Sequence, residues 1–222
     1  MAEPNKNTLL SNLTEKNAQQ LLETTRPFVE LMTQYKCAIM EVETKLNVLN
    51  AEFSLAHSRN PIETIKSRLK SPVSIVEKLK RKGYEQCVQS IEDNLADVAG
   101  IRVICSFVND IYTLEKMLAQ QDDIIVLERK DYIANPKENG YRSLHLILDI
   151  PIFLSHQKKH MKVEVQFRTI AMDFWASLEH KLKYKKSIED SEIVAAELKE
   201  CAEIISTMDQ KMQQLSERIQ ES

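Results

Sequence analysis

At 222 residues, with 43% hydrophobic and 28% charged residues, the chain can bury one good core and needs no second domain. A net charge of −3 excludes a generally basic nucleic-acid binder, so any attraction for phosphate must be local. The three glycines, Gly83, Gly100 and Gly140, exclude a Walker loop and a dinucleotide-binding glycine fingerprint. Residues 1–25 read as a flexible polar segment without the apolar run of a signal peptide or membrane span. From Pro27, suited to a first helical turn, Phe28, Met32, Tyr35, Ile39, Val42, Leu46, Leu49 and Phe53 alternate steps of four and three. That stripe predicts one long helix, ended by Asn60-Pro61, and a second helix is expected over 61–81, stopped by Gly83. The period then changes. Residues 101–107, 124–127 and 144–150 are short apolar runs typical of buried strands, with a helix at 110–121 between the first two. Residues 161–168 alternate strictly: Met161, Val163, Val165 and Phe167 point one way, Lys162, Glu164, Gln166 and Arg168 the other. Helices are expected at 171–185 and from 191 to the end, the last with Val194, Leu198, Cys201, Ile205, Met208, Met212, Leu215 and Ile219 as a second heptad seam. The order predicts an α/β (α+β) fold: a mixed sheet surrounded by helices, with long N- and C-terminal helices. Strand order is not legible.

Four constellations carry chemistry. Between residues 66 and 82, Lys66, Arg68, Lys70, Lys78, Lys80, Arg81 and Lys82 face a single acid, Glu77. On a helix Lys70, Ser74 and Lys78 would line one face, suited to an oligophosphate; a solvated basic face is the plainer reading. Asp97 precedes Gly100 and the strand arginine Arg102. The two form either a structural ion pair or a functional set in which Asp97 ligates a metal and Arg102 stacks on a base. The ionic face of 162–168 would look much the same on an exposed antiparallel strand; lining a cleft, its Glu164 offers a second carboxylate for a magnesium-dependent phosphoryl transfer. Lys130, Asp131, Tyr132, Lys137, Tyr141 and His145 gather around Pro136 and Gly140, a loop rich in turn formers. The scattered Cys37, Cys87, Cys105 and Cys201 contain no C-x-x-C pair and read as reduced thiols of a cytoplasmic protein.

These segments resemble the synthetase domain of the RelA/SpoT family, the makers of guanosine tetra- and pentaphosphate alarmones. The likeness is carried by Ser67–Pro72 with Ser74 and Lys78, Asp97–Arg102, Asp131–Ile133 with Lys137, Gly140–Ser143 with His145, Glu164–Thr169, and Ala171–Ala176 through Glu179-His180. The chain looks like a small alarmone synthetase of the RelP type. The resemblance implies a nucleotidyltransferase-like synthetase fold over 26–186, with 187–222 as an oligomerisation helix. It implies GTP pyrophosphokinase activity with Mg²⁺ and no hydrolase activity. The β,γ-pyrophosphate of ATP would pass to the ribose 3′-hydroxyl of GTP or GDP. Arg68 and Arg102 would sandwich adenine; Lys70, Ser74, Lys78 and Arg81 would hold the ATP phosphates. Asp97 and Glu164 would bind the metal, Glu164 also activating the hydroxyl. Tyr141 would stack on guanine, with Lys130, Lys137, His145 and Gln166 on the acceptor and Asp173 at a guanine-side position. Homotetramers through the terminal helices are a further implication. In the RelQ type the product stimulates the enzyme at an inter-subunit cleft; the positions used there carry Thr64, Lys66, Glu43 and Asn47 here, so no such activation is expected. The rivals are an RNA-binding regulator using the basic 66–82 face, and a nucleotidyltransferase that releases free pyrophosphate. Neither nucleic acid nor a membrane is the expected partner.

Overall fold

A computed structural model of the chain describes residues 15–57, 59–184 and 191–220. Eleven elements follow in order: α1 (Glu15–His57), β1 (Ile62–Leu69), α2 (Pro72–Lys82), α3 (Val88–Asn94), β2 (Ala99–Cys105), α4 (Val108–Ala119), β3 (Ile125–Asp131), β4 (Leu144–Phe153), β5 (Lys158–Thr169), α5 (Ile170–Tyr184) and α6 (Ser191–Gln220). The strands form one sheet in the order β1-β2-β5-β4-β3. β2 and β5 run parallel; the other neighbours are antiparallel. The mixed sheet with flanking helices is the architecture the sequence implied.

One face of the sheet is dry. Ile101, Val103, Leu144, Leu146, Leu148, Val163, Val165 and Phe167 are buried there. Against them lies the α1 stripe, in which Tyr35, Ile39, Val42, Leu46, Leu49 and Phe53 are buried, joined by Ile111, Leu114 and Leu118 of α4. The first heptad seam is thus an intramolecular packing surface that crosses the sheet. The strict alternation expected for 161–168 is present within β5.

Three expectations are corrected. Residues 62–69 form an edge strand, not the start of a helix. The reason is a bulge between Ile62 and Thr64, which brings Ile62, Ile65 and Leu69 opposite Cys105, Val103 and Ala99, hence onto one face. Their spacing of three and four imitates a helical period. The helix that follows is short, with Ser71 as N-cap accepting from the Ser74 amide, Pro72 in its first turn and Gly83 closing it at φ 72°. Second, α1 begins by Glu15, so Pro27 lies inside it. Third, α3 was not anticipated. Residues 1–14 of the expected flexible segment, Lys185 at the end of the helix expected at 171–185, and the boundary at 186/187 lie outside the described residues.

Candidate active site

Cross-strand pairing builds the site as two rows over the other sheet face. Arg68 of β1, Gly100 of β2, Glu164 of β5, Ile147 of β4 and Glu128 of β3 stand side by side; Lys66, Arg102, Gln166, His145 and Lys130 form the next row. Partners across a ladder point to the same face, so ionic residues far apart in sequence become neighbours. A cleft of about 530 Å³ is lined by Arg68, Lys70, Ser74, Asp97, Arg102, Glu164 and Gln166, with Lys66, Ser67 and Gly100. A second cavity of about 220 Å³ is lined by Lys130, Tyr132, Lys137, His145 and Glu164, with Glu128 and Ile147. Glu164 belongs to both.

The cations of the site rest on acids. Lys70 and Lys78 both reach Asp97, at 2.8 and 2.6 Å. Burial alone would push the Asp97 carboxyl up, but these two ammonium groups outweigh it and hold it below the usual aspartate range. Lys70 lies after β1 and Lys78 on α2, so the single helical face expected for Lys70, Ser74 and Lys78 does not exist. A strand end and a helix bring the two lysines to the same acid instead. The structural Asp97–Arg102 pair is likewise absent: Arg102 binds Asp173 at 3.1 Å. Glu164 is also held below its usual range. Its burial acts upward, as does nearby Asp97, but contact with His145 at 3.4 Å and a hydrogen bond from Gln166 at 3.0 Å prevail. Both carboxylates therefore carry charge near neutral pH.

The guanine-side residues expected from the sequence are drawn together by one loop. The Asp131 carboxylate accepts from the amides of Ile133 and Ala134, both at 3.0 Å, fixing the loop's start. The Lys137 ammonium sits 4.5 Å from the Tyr132 ring centre and 4.9 Å from that of Tyr141. The Tyr141 hydroxyl lies 2.9 Å from His145 Nε2. Tyr141 itself lines neither cavity; Tyr132 does, although it carried no assigned role. Arg81 is exposed on the last turn of α2 and also lines neither. Asp173, for which the resemblance implied a guanine-side position, sits among Lys66, Arg102 and Arg168, at 3.4, 3.1 and 3.0 Å. Lys66, Ser67, Glu128 and Tyr132 are the polar lining residues that sequence reasoning left without a role. Lys66 shares a face with Arg68 only because 62–69 is a strand, which the helical reading hid; the Glu128 row required the strand order.

A divalent ion can be tested against the side chains present. Asp97 Oδ1 is buried without a hydrogen-bond partner, which is the state of an oxygen awaiting a cation. Among the described residues no three His, Cys, Asp or Glu converge on one point. Two ionised carboxylates at a cleft fit a hard cation that takes its remaining oxygens from water and phosphate. The donor set fits.

A polar sheet face with paired carboxylates, converging lysines and stacking-competent arginines defines a nucleotide phosphate-transfer site. The comparisons agree. A model of the region found in RelA / SpoT proteins matches residues 67–189. The GTP pyrophosphokinase YwaC of Bacillus subtilis (strain 168) is 48% identical over 178 residues, 80% of this chain and 85% of its own length. A crystal structure of small alarmone synthetase 2 from Bacillus subtilis superposes with TM-score 0.76 at 44% identity, covering 84% of this chain and 97% of that one. Small alarmone synthetase 1 from the same organism, bound to its product pppGpp, gives 0.78 at 35%, covering 87% and 98%. The chain belongs to the RelA/SpoT family.

Proposed function

We propose that the chain is a GTP pyrophosphokinase that makes the alarmones pppGpp and ppGpp from ATP and GTP or GDP, releasing AMP. The observation that carries this reading is Glu164, whose side chain borders both cavities and so stands between a phosphate donor in the larger and an acceptor ribose in the smaller. In this reading Arg68 and Arg102, on adjacent strands and the same face, enclose adenine. Lys70 and Lys78 leave Asp97 for the ATP phosphates, with Ser74 beside them and Arg81 reaching in from the helix end. Tyr141 stacks on guanine; Lys130, Lys137, His145 and Gln166 meet the acceptor's phosphates or ribose. We assign Mg²⁺ to Asp97 and Glu164; when bound it neutralises charge on the phosphate oxygens. Glu164 takes the proton of the 3′-hydroxyl. The 3′-oxygen then bonds to the β-phosphorus of ATP as the bond from that phosphorus to the α-bridging oxygen breaks, and AMP departs.

Incubation with ATP, GTP and Mg²⁺ should give AMP and a guanosine that bears a triphosphate at its 5′ end and a pyrophosphate at its 3′ end. Free pyrophosphate without AMP would instead identify a nucleotidyltransferase, and RNA binding without turnover the regulator alternative. We assign 26–186 to the synthetase domain, 187–222 to assembly into a homotetramer, and the cytoplasm as its place. Among the described residues no helix is long and apolar enough to cross a membrane. A separate cavity of about 360 Å³ holds Glu43, Asn47, Glu63 and Thr64. Two carboxylates there repel phosphate. Added pentaphosphate product should therefore leave the rate unchanged; a severalfold rise would contradict this.

A further inference from the structure

Arg168 is the buried arginine of the ionic strand face, its side chain 6% exposed. It was given no role, yet it joins both halves of the site. Its Nη1 donates to Asp173 Oδ1 at 3.0 Å, the same oxygen that receives Arg102 Nη1 at 3.1 Å. Its Nη2 donates to the Tyr141 hydroxyl at 2.8 Å and to Gln166 Oε1 at 3.1 Å. Because guanidinium can only donate, the Tyr141 oxygen accepts from Arg168 and its own hydrogen is free for His145 Nε2, 2.9 Å away. His145 Nδ1 in turn lies 3.4 Å from Glu164 Oε1, and Gln166, which accepts from Arg168, donates through Nε2 to Glu164 Oε2 at 3.0 Å. The chain runs without a gap from the adenine-side arginine to the Glu164 carboxylate.

We propose that Arg168 is a positioning residue that locks the two nucleotide subsites together: through Asp173 it fixes Arg102, through the Tyr141 hydroxyl it fixes the ring, and through Gln166 it orients the hydrogen bond that ends on Glu164. This deepens the pyrophosphokinase reading and rests on it. A buried charge is costly unless paired. Here the cost is met by a planar fork with each terminal nitrogen aimed at a different subsite, a geometry that a lysine ammonium does not reproduce.

The test is calorimetric binding of GDP alone and of a non-hydrolysable ATP analogue alone, with turnover measured in parallel. Arg168→Lys keeps the charge beside Asp173 and should weaken both ligands about tenfold, the scale of a lost charge-assisted hydrogen bond. Tyr141→Phe keeps the ring and should weaken GDP alone. The double variant should bind GDP no worse than Arg168→Lys, since both changes break one shared bond. A merely structural arginine would give a lower melting temperature and fewer active molecules with both affinities unchanged, and that result overturns the proposal. If Arg168→Lys does not fold, Tyr141→Phe decides: GDP affinity equal to wild type overturns it, and a selective loss of GDP supports it. A wild-type protein that binds both nucleotides but releases no AMP would end the pyrophosphokinase reading and leave the positioning result standing.

Discussion

Glu164 and Asp97 lie on different elements, one on β5 and one just before β2, yet the Asp97 charge is near enough to oppose ionisation of Glu164. Asp97 has its two lysines; Glu164 has only hydrogen bonds and a histidine. Glu164→Gln keeps the shape and removes the charge. It should cut turnover by at least about a hundredfold, the usual scale for a lost acid–base group, while nucleotide binding measured by calorimetry stays within a few-fold. Near-full turnover would show that neither proton nor metal is handled there. Tyr141→Ala should weaken the guanine substrate by about 1–3 kcal/mol, the scale of one lost base stack, read as apparent GTP affinity. At this scale the sequence was legible where spacing alone sets direction: strict alternation put Glu164, Gln166 and Arg168 on one face. It was not legible where a partner comes from another element. Asp97 and Arg102 are five residues apart and look like a pair, but Lys70, Lys78 and Asp173 are closer in space, and only the folded sheet places them.

Elements bring a second lesson. β1 was misread because its bulge made a strand carry apolar residues at helical spacing, although Ser71-Pro72 marked a helix start within the run. The Tyr141 loop shows how one element disciplines another. Gly140 has φ 84°, and a Cβ there would stand 2.6 Å from the Cβ of Ala202 on α6. Arg142 donates to the Ala202 carbonyl at 3.3 Å, and Trp175 Nε1 of α5 to the Leu198 carbonyl at 2.8 Å. α6 is thus clamped onto the loop and onto α5. A further clip is Thr169, which caps α5 through the Met172 amide and donates to Asp209 of α6 at 2.6 Å. Burial raises the Asp209 carboxyl, against the opposing pull of Thr169 and Arg142. A folded-state value above the unfolded one means the native chain holds that proton more tightly. Stability from this group is therefore full below the ordinary aspartate value of about 3.9 and is lost as pH rises through the raised value. Asp209→Asn still accepts from Thr169 and never ionises. At neutral pH it should melt at a higher temperature than wild type, the gap closing as the solution is acidified. A lower melting temperature for the variant at pH 7 would mean that the charge is stabilised by Arg142 more than burial opposes it.

For the whole molecule, the two heptad seams have opposite fates. The α1 seam is consumed by the sheet, which answers its apolar surface within one chain. The α6 seam is answered over its first half only: Leu198 and Ile205 pack beside Trp175, and Ala202 is buried. Beyond that point Met208, Met212, Leu215 and Ile219 are 53%, 51%, 48% and 75% exposed. Four large apolar side chains in a row on one helix leave a continuous greasy strip in water, which single chains rarely tolerate. A two-fold contact with the same strip of another copy would cover both at once, because an isologous interface needs one self-complementary patch. Met208, Met212, Leu215 and Ile219 line neither cavity, so assembly and chemistry can be tested apart. Met208→Glu combined with Met212→Glu places two carboxylates in the strip and, in a paired helix, four at one contact. Light scattering should then report a mass of half the wild-type value or less, with circular dichroism unchanged. An unchanged mass accompanied by a falling melting temperature would mean that the strip folds back on its own chain, and the proposed tetramer would lose its physical basis.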